Sequence, residues 1–219
     1  MANSPGASDQ PVYQGQFGEF TITPGDRQGV ILYRSGLVLS ALSFALGTGL
    51  VLWRGDERVI LQLVTGLYAL FSLGLGLSLL TIHIYLRPLH RLLQIFWLVG
   101  TVAAASVAWH RAAPLAQVVY AQPLSLLVLG FTFAALTGIF FKEAFCFNRL
   151  ETKVLTPLVP ALLLGHLAGW LPLTAEKGLL LAWSGLFLVF ALRKTFQAVP
   201  DDIGDKSVFA YLEQQAREG

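Results

Sequence analysis

An all-α polytopic bundle that crosses a bilayer about six times is the fold class this sequence predicts, and three observations predict it. Hydrophobic residues make up 55% of the chain and charged residues only 13%, with a mean hydropathy of +0.63; ordinary soluble domains carry about 25% charged residues. The apolar residues fall in blocks of about twenty, the length a helix needs to cross about 30 Å of hydrocarbon. Charge collects between the blocks and is biased to one side. The blocks are rich in Leu, Ala and Gly and lack period-two alternation, so helices rather than barrel strands must satisfy the backbone in lipid.

In chain order, the first 28 residues are polar and hold Pro5, Pro11 and Pro24. They contain no apolar stretch of the kind a cleavable signal requires, so the first span is expected to act as its own insertion signal. Within this tail, residues 12–23 alternate aromatic, polar and small side chains (Tyr13, Phe17, Phe20 among Gln and Gly), which predicts an extended segment on the cytoplasmic surface or against a partner. Apolar blocks then run over 29–53, 59–86, 92–109, 122–141, 154–171 and 178–192. Arg87-Pro88 ends the second, because proline removes a donor and disfavours helix just before it. Beyond 193, a short helix over 207–216 is expected, with Val208, Phe209 and Leu212 on one narrow apolar stripe. The organisation is thus a cytoplasmic tail (1–28), a six-helix membrane domain (29–193) and a cytoplasmic tail with a short helix (194–219).

Six spans with the amino terminus inside place eleven basic residues on the cytoplasmic side: Arg27, Arg34, Arg87, Arg91, Lys142, Arg149, Lys153, Arg193, Lys194, Lys206 and Arg217. Only Arg54, Arg58, Arg111 and Lys177 fall on the other. That bias is the one cytoplasmic loops carry. Trp53, Trp109 and Trp170 close the odd-numbered spans on the opposite face, where an apolar ring with a wet N–H belongs. Stripes of small residues (Ala41, Ala45 and Gly49; Gly66, Gly74 and Gly76; Ala104, Ala105 and Ala108; Ala134 and Gly138; Gly165 and Gly169) are expected to be close-packing faces.

Chemistry is sparse. A net charge of +2 with no basic run argues for no nucleic-acid partner. Cys146 is alone, so neither an internal disulfide nor a cysteine metal site is available. Phosphate-loop, His-Glu-x-x-His and Gly-x-Ser-x-Gly patterns are missing, and no two carboxylates pair within the spans; no enzymatic activity is expected. The densest polar patch is 142–153, holding Lys142, Glu143, Arg149, Glu151 and Lys153. It reads either as a cytoplasmic recognition surface or as interfacial charge that fixes topology. Glu143 needs a cation or a proton at its depth. Lys142, its sequence neighbour, points about 100° away, so Arg91, Arg34 or another inward basic group is the candidate partner; Arg34, about a turn inside the first span, reads either as that partner or as a side chain that snorkels to the interface. His166 lies in a Gly165-x-x-x-Gly169 frame and is read either as an inter-helix hydrogen bond or as a ligand to chlorophyll or haem.

The stretch 140–170, with Phe141-Lys142-Glu143-Ala144-Phe145-Cys146-Phe147, Arg149-Leu150-Glu151 and Leu155-Thr156-Pro157-Leu158-Val159-Pro160 leading to Gly165-His166, resembles a family of uncharacterised integral membrane proteins of cyanobacteria and plastids. The tail from Val12 to Phe17 and the pair Tyr33-Arg34 are similar too, so the resemblance runs over nearly the whole chain. It implies a habitat, a cyanobacterial thylakoid or plasma membrane or a plastid thylakoid. It maps the family's motif onto Lys142, Glu143, Arg149, Glu151 and His166, without roles. The expectation is a non-enzymatic subunit or assembly factor of a larger membrane complex, possibly a photosystem. A pigment or haem binder through His166, or a small-solute transporter with a site near Arg34 and Glu143, are the alternatives.

Overall fold

The computed structural model describes residues 11–15, 18–110, 113–199, 203–205 and 207–218. Expectations resting on Gln16, Phe17, Arg111, Lys206 and the side chain of Leu212 lie outside them. The helices are α1 (Pro24–Arg54), α2 (Arg58–Thr81), α3 (Arg87–His110), α4 (Leu115–Ala121), α5 (Leu126–Phe147), α6 (Leu150–Leu167), α7 (Leu173–Phe196) and α8 (Ser207–Glu218). The all-α polytopic bundle stands. Five helices are long and apolar enough to cross a membrane: α1, α2, α3, α5 with the 3-10 turn before it, and α7.

The shorter α6 is not in that set, yet it runs the same course. Near its start Glu151 meets Arg193 at the end of α7, and near its end His166 meets Glu176 at the start of α7. Its 18 residues give about 27 Å of rise, and it covers most of the fifth apolar block read from the sequence, 154–171.

The six long helices close into a ring. Helix α1 lies beside α2 and α7, α2 beside α3, α3 beside α5, α5 beside α6, and α6 beside α7. The interior is aromatic and aliphatic, with Phe71, Phe140, Phe187, Phe190 and Trp183 at most 2% exposed. Both tails sit at one end, hereafter the tail end, together with the starts of α1, α3 and α6. Trp53, Trp109 and Trp170 are all exposed and close α1, α3 and α6 at the far end.

Several boundaries moved for local reasons. Helix α1 begins at Pro24, ahead of the expected 29, because Thr23 forms a capping box with Asp26: its hydroxyl accepts from the Asp26 N–H, and the Asp26 carboxylate accepts from the Thr23 N–H at 2.9 Å. Helix α2 stops at Thr81, well before Pro88. The segment after it instead buries Ile82 and Ile84 and sets His83 and Tyr85 against Phe209 of α8. The expected extended tail segment is a hairpin, β1 (Val12–Gln14) antiparallel to β2 (Glu19–Thr21). It lies against the chain's own carboxyl-terminal segment, since a Cβ on Gly15 would strike Asp205 and one on Gly204 would strike Thr21. Helix α4 was not expected, being seven residues long. It tucks under the far end, with Leu115 and Val118 buried and the Leu115 N–H donating to the Thr65 hydroxyl at 3.0 Å.

The Gly165/Gly169 frame proved to be a helix stop. Gly169 has φ +68, the Trp170 N–H donates to the Gly165 carbonyl at 2.9 Å, and the Gly169 N–H donates to His166 at 3.0 Å, the Schellman arrangement. Gly165 packs against Leu171 of the following turn rather than against a neighbouring helix. Gly169→Ala is therefore expected to cost about 1 kcal/mol, the penalty for a Cβ in left-handed backbone, and Gly169→Asn less. Thermal unfolding in detergent measures both; an unchanged midpoint for the alanine variant would contradict this assignment of the cap.

Candidate functional site

Two polar regions stand at opposite ends of the ring. At the tail end, Glu143 is 0% exposed and its carboxylate is fully engaged. Oε1 accepts from the Tyr33 hydroxyl at 2.9 Å and from Lys142 Nζ at 3.2 Å, and Oε2 accepts from Lys194 Nζ at 2.7 Å. The Lys194 ammonium also lies 3.8 Å from the centroid of the Phe147 ring, a favourable seat for a cation. A carboxylate this deep holds its charge only beside cations and donors, and three helices supply them.

Two expectations are corrected here. Arg34 does not reach Glu143; it donates to the carbonyls of Thr195 at 3.4 Å and Ala198 at 3.2 Å, capping the carboxyl end of α7 as a cation should. Lys142 does pair with its neighbour, because a long flexible stem can curl back across the angle between adjacent helical positions. The rest of the predicted patch does not converge on one point. Glu151 is buried and takes Arg193 Nη1 at 3.0 Å, Arg149 donates to Gln197 at 3.4 Å, and Lys153 is exposed. Tyr33, Arg193 and Lys194 were missed as site residues. Their only signal was a depth matching that of the acids they meet.

At the far end, α1, α2, α4, α5, α6 and α7 surround a cavity of about 890 Å³. Its floor is a cluster of rings. Phe44 lies 4.5 Å from Trp183 and 5.9 Å from Phe71, while Phe133 lies 5.3 Å from Trp183 and 5.8 Å from Phe71. Leucine and valine side chains such as Leu61, Val64, Leu67, Leu163 and Leu180 form the walls. Asp56, Gln117 and Lys177, exposed residues, mark the mouth. No sequence motif announced this space, because it exists only once α7 closes the ring onto α1.

His166 lines the same cavity. It lies in the last turn of α6, near the far end. Its Nδ1–H donates to the Glu176 carboxylate at 2.7 Å, and its ring stacks on Tyr120 at 5.4 Å. With the Nδ1 proton facing the carboxylate, a neutral form of the ring would present Nε2 as an acceptor. That nitrogen is buried and has no hydrogen-bond partner among the described residues. The inter-helix hydrogen bond is thus present, and the nitrogen that a metal-centred pigment would need is unused.

Residues 77–211 match the model of a family described as uncharacterized integral membrane protein (DUF2301). The match runs from the last turn of α2 into α8 and leaves α1 and the tail hairpin outside it, so it is narrower than the resemblance read from the sequence. No curated protein matches the chain, and no solved structure does.

Proposed function

The chain belongs to this integral membrane protein family, and on that premise we propose that it is a non-enzymatic membrane protein that receives an apolar or amphipathic small molecule in its far-end vestibule. The observation that carries the reading is the cavity itself. At about 890 Å³, walled by hydrocarbon and aromatic rings with a few polar groups, it falls within the range of small-molecule sites. The opposite end is filled by the Phe140, Phe187 and Phe190 rings and by the Glu143 ion cluster. The transport alternative near Arg34 and Glu143 has less to draw on, since Arg34 is engaged by the carboxyl end of α7 and Glu143 by Tyr33, Lys142 and Lys194.

Purification in mild detergent, solvent extraction and mass spectrometry of the extract test the proposal. A stoichiometric small molecule is expected with the wild-type chain and is expected to be lost from Gly47→Leu. Gly47 lines the cavity, and a Cβ there meets only Val64 and Leu67 at 3.9 and 4.0 Å, so the longer side chain extends into the open space. A bare protein, or equal occupancy in the variant, would sink the vestibule reading.

Two other readings share this experiment. A haem or chlorophyll held by His166 draws on the unpartnered Nε2, and a visible band removed by His166→Ala would establish it. A subunit or assembly factor docking on a larger photosynthetic complex draws on Phe141, Phe145 and Phe196, exposed at the tail end. Stoichiometric co-purifying proteins would favour that one.

A further inference from the structure

Six cations gather where α7 ends and α6 begins. Arg34 reaches the last turn of α7 from α1, donating to the carbonyls of Thr195 and Ala198. Lys142 and Lys194 hold Glu143. Two arginines tie α6 to α7 in opposite directions. Arg149, at the start of α6, donates to the Gln197 side chain at 3.4 Å, and Arg193, at the end of α7, donates to Glu151 at 3.0 Å. Lys153 stands one turn further along α6 and is exposed. Among the described residues, the carboxylates that meet these cations are Glu143 and Glu151, both buried. The acids face inward while Lys153 is exposed and the Arg193 side chain is 54% exposed, which leaves an outward excess of positive charge.

Below the charge the same face turns apolar. Leu150 and Val154 are 73% and 41% exposed, and Pro157 and Ala161 are exposed as well. At 100° per residue these four fall with Lys153 in one outward arc of α6. Phe196, at the end of α7, is 86% exposed. A cationic turn that continues into an uncharged apolar stripe fits a ligand with an anionic head and hydrocarbon chains. A free phosphate or an acidic protein segment would match the cations and leave the stripe unused. A zwitterionic lipid head brings its own cation and gains less. Charge that only sets topology accounts for the sign, but not for two arginines held across the α6–α7 seam by Gln197 and Glu151.

We infer that this corner of the tail end binds an anionic phospholipid, its phosphate on Arg149, Lys153 and Arg193 and its chains along the outward stripe of α6. Basic pockets between membrane helices recognise anionic headgroups through the same attraction. The inference is independent of the vestibule.

The test is native mass spectrometry of the purified full-length protein in detergent, titrated with phosphatidylglycerol and, separately, with phosphatidylcholine of the same chains. Wild type is expected to prefer phosphatidylglycerol about tenfold, the effect of one or two nearby cations. The double variant Arg149→Gln with Lys153→Gln is expected to bind the two lipids equally. Lys153→Gln alone changes an exposed side chain, so it tests the site without threatening the fold, and a reduced preference is expected. Arg91→Gln removes an exposed cation from the same end on α3 and is expected to keep the preference. Bound phosphatidylglycerol is expected to survive excess inorganic phosphate and excess polyglutamate. Equal affinity of wild type for the two lipids, a preference that both seam variants keep, or one that Arg91→Gln lowers as much overturns the site. Displacement by phosphate or by polyglutamate overturns the lipid assignment in favour of a free anion or an acidic protein segment.

Discussion

Replacing Glu143 by alanine is expected to destabilise the folded bundle by about 3–5 kcal/mol, the cost of leaving one member of a buried ion pair alone. Lys194 would keep its seat over the Phe147 ring but lose the carboxylate at 2.7 Å, and the Tyr33 hydroxyl would lose its acceptor. Glu143→Gln keeps an acceptor and removes only the charge, so a smaller loss is expected. The double variant Glu143→Leu with Lys194→Met is expected to recover most of the loss, because buried pairs can be replaced by packed apolar groups at little net cost. Unfolding in mixed micelles, followed by tryptophan fluorescence, measures all three. Should the alanine variant unfold with the wild type, the cluster is not the tail-end clamp described here.

This cluster also shows where the sequence was legible and where it was not. Glu143 announced itself as an acid inside an apolar block, and the need for a cation at its depth followed from electrostatics alone. Which cation was not legible, because depth fixes height along the bundle but not direction around a helix. Tyr33 and Arg34 are neighbours and point about 100° apart; Tyr33 faces Glu143, and Arg34 turns to the end of α7. The six long helices were readable from block length. Helix α4 was not, since seven residues are too few for a membrane-spanning block. The capping box at Thr23 and Asp26 was present in the sequence as Thr-Pro-Gly-Asp and is the one boundary signal that reading block edges passed over.

The far-end cavity was invisible for a different reason. Its floor joins Phe44 of α1, Phe71 of α2, Phe133 of α5 and Trp183 of α7, and no local pattern pairs α1 with α7 across the whole length of the chain. The two ends then divide the polar work. At the tail end the buried carboxylate of Glu143 is satisfied by three donors, which suits a clamp that stays closed. At the far end His166 and Trp183 line the cavity, and their buried nitrogens Nε2 and Nε1 have no hydrogen-bond partner among the described residues.

The clamp and the vestibule both depend on the seam between α1 and α2, where the second large effect is expected. Gly36 and Gly74 face each other so closely that a Cβ on Gly36 would lie 2.5 Å from the Gly74 carbonyl oxygen, and one on Gly74 would lie 2.6 Å from the Gly36 carbonyl oxygen. That approach lets the Ser40 hydroxyl donate to the Phe71 carbonyl and the Ser78 hydroxyl donate to the Tyr33 carbonyl, each at 3.0 Å. Close contact between small residues and cross-helix hydrogen bonds hold helices together where lipid competes for apolar contact. Gly36→Val and Gly74→Val must push two backbones apart and break both hydrogen bonds, so each is expected to cost about 3 kcal/mol or more, the upper range for overpacking. Gly66 provides the control on the same helix as Gly74. A Cβ there meets nothing within 4 Å, so Gly66→Ala is expected to be neutral or stabilising by up to about 1 kcal/mol through helix propensity alone. The micelle unfolding assay reads the three side by side. If both valine variants match the Gly66→Ala control, the seam is looser than the carbonyl approach requires, and Tyr33 would no longer be held at the height where it meets Glu143.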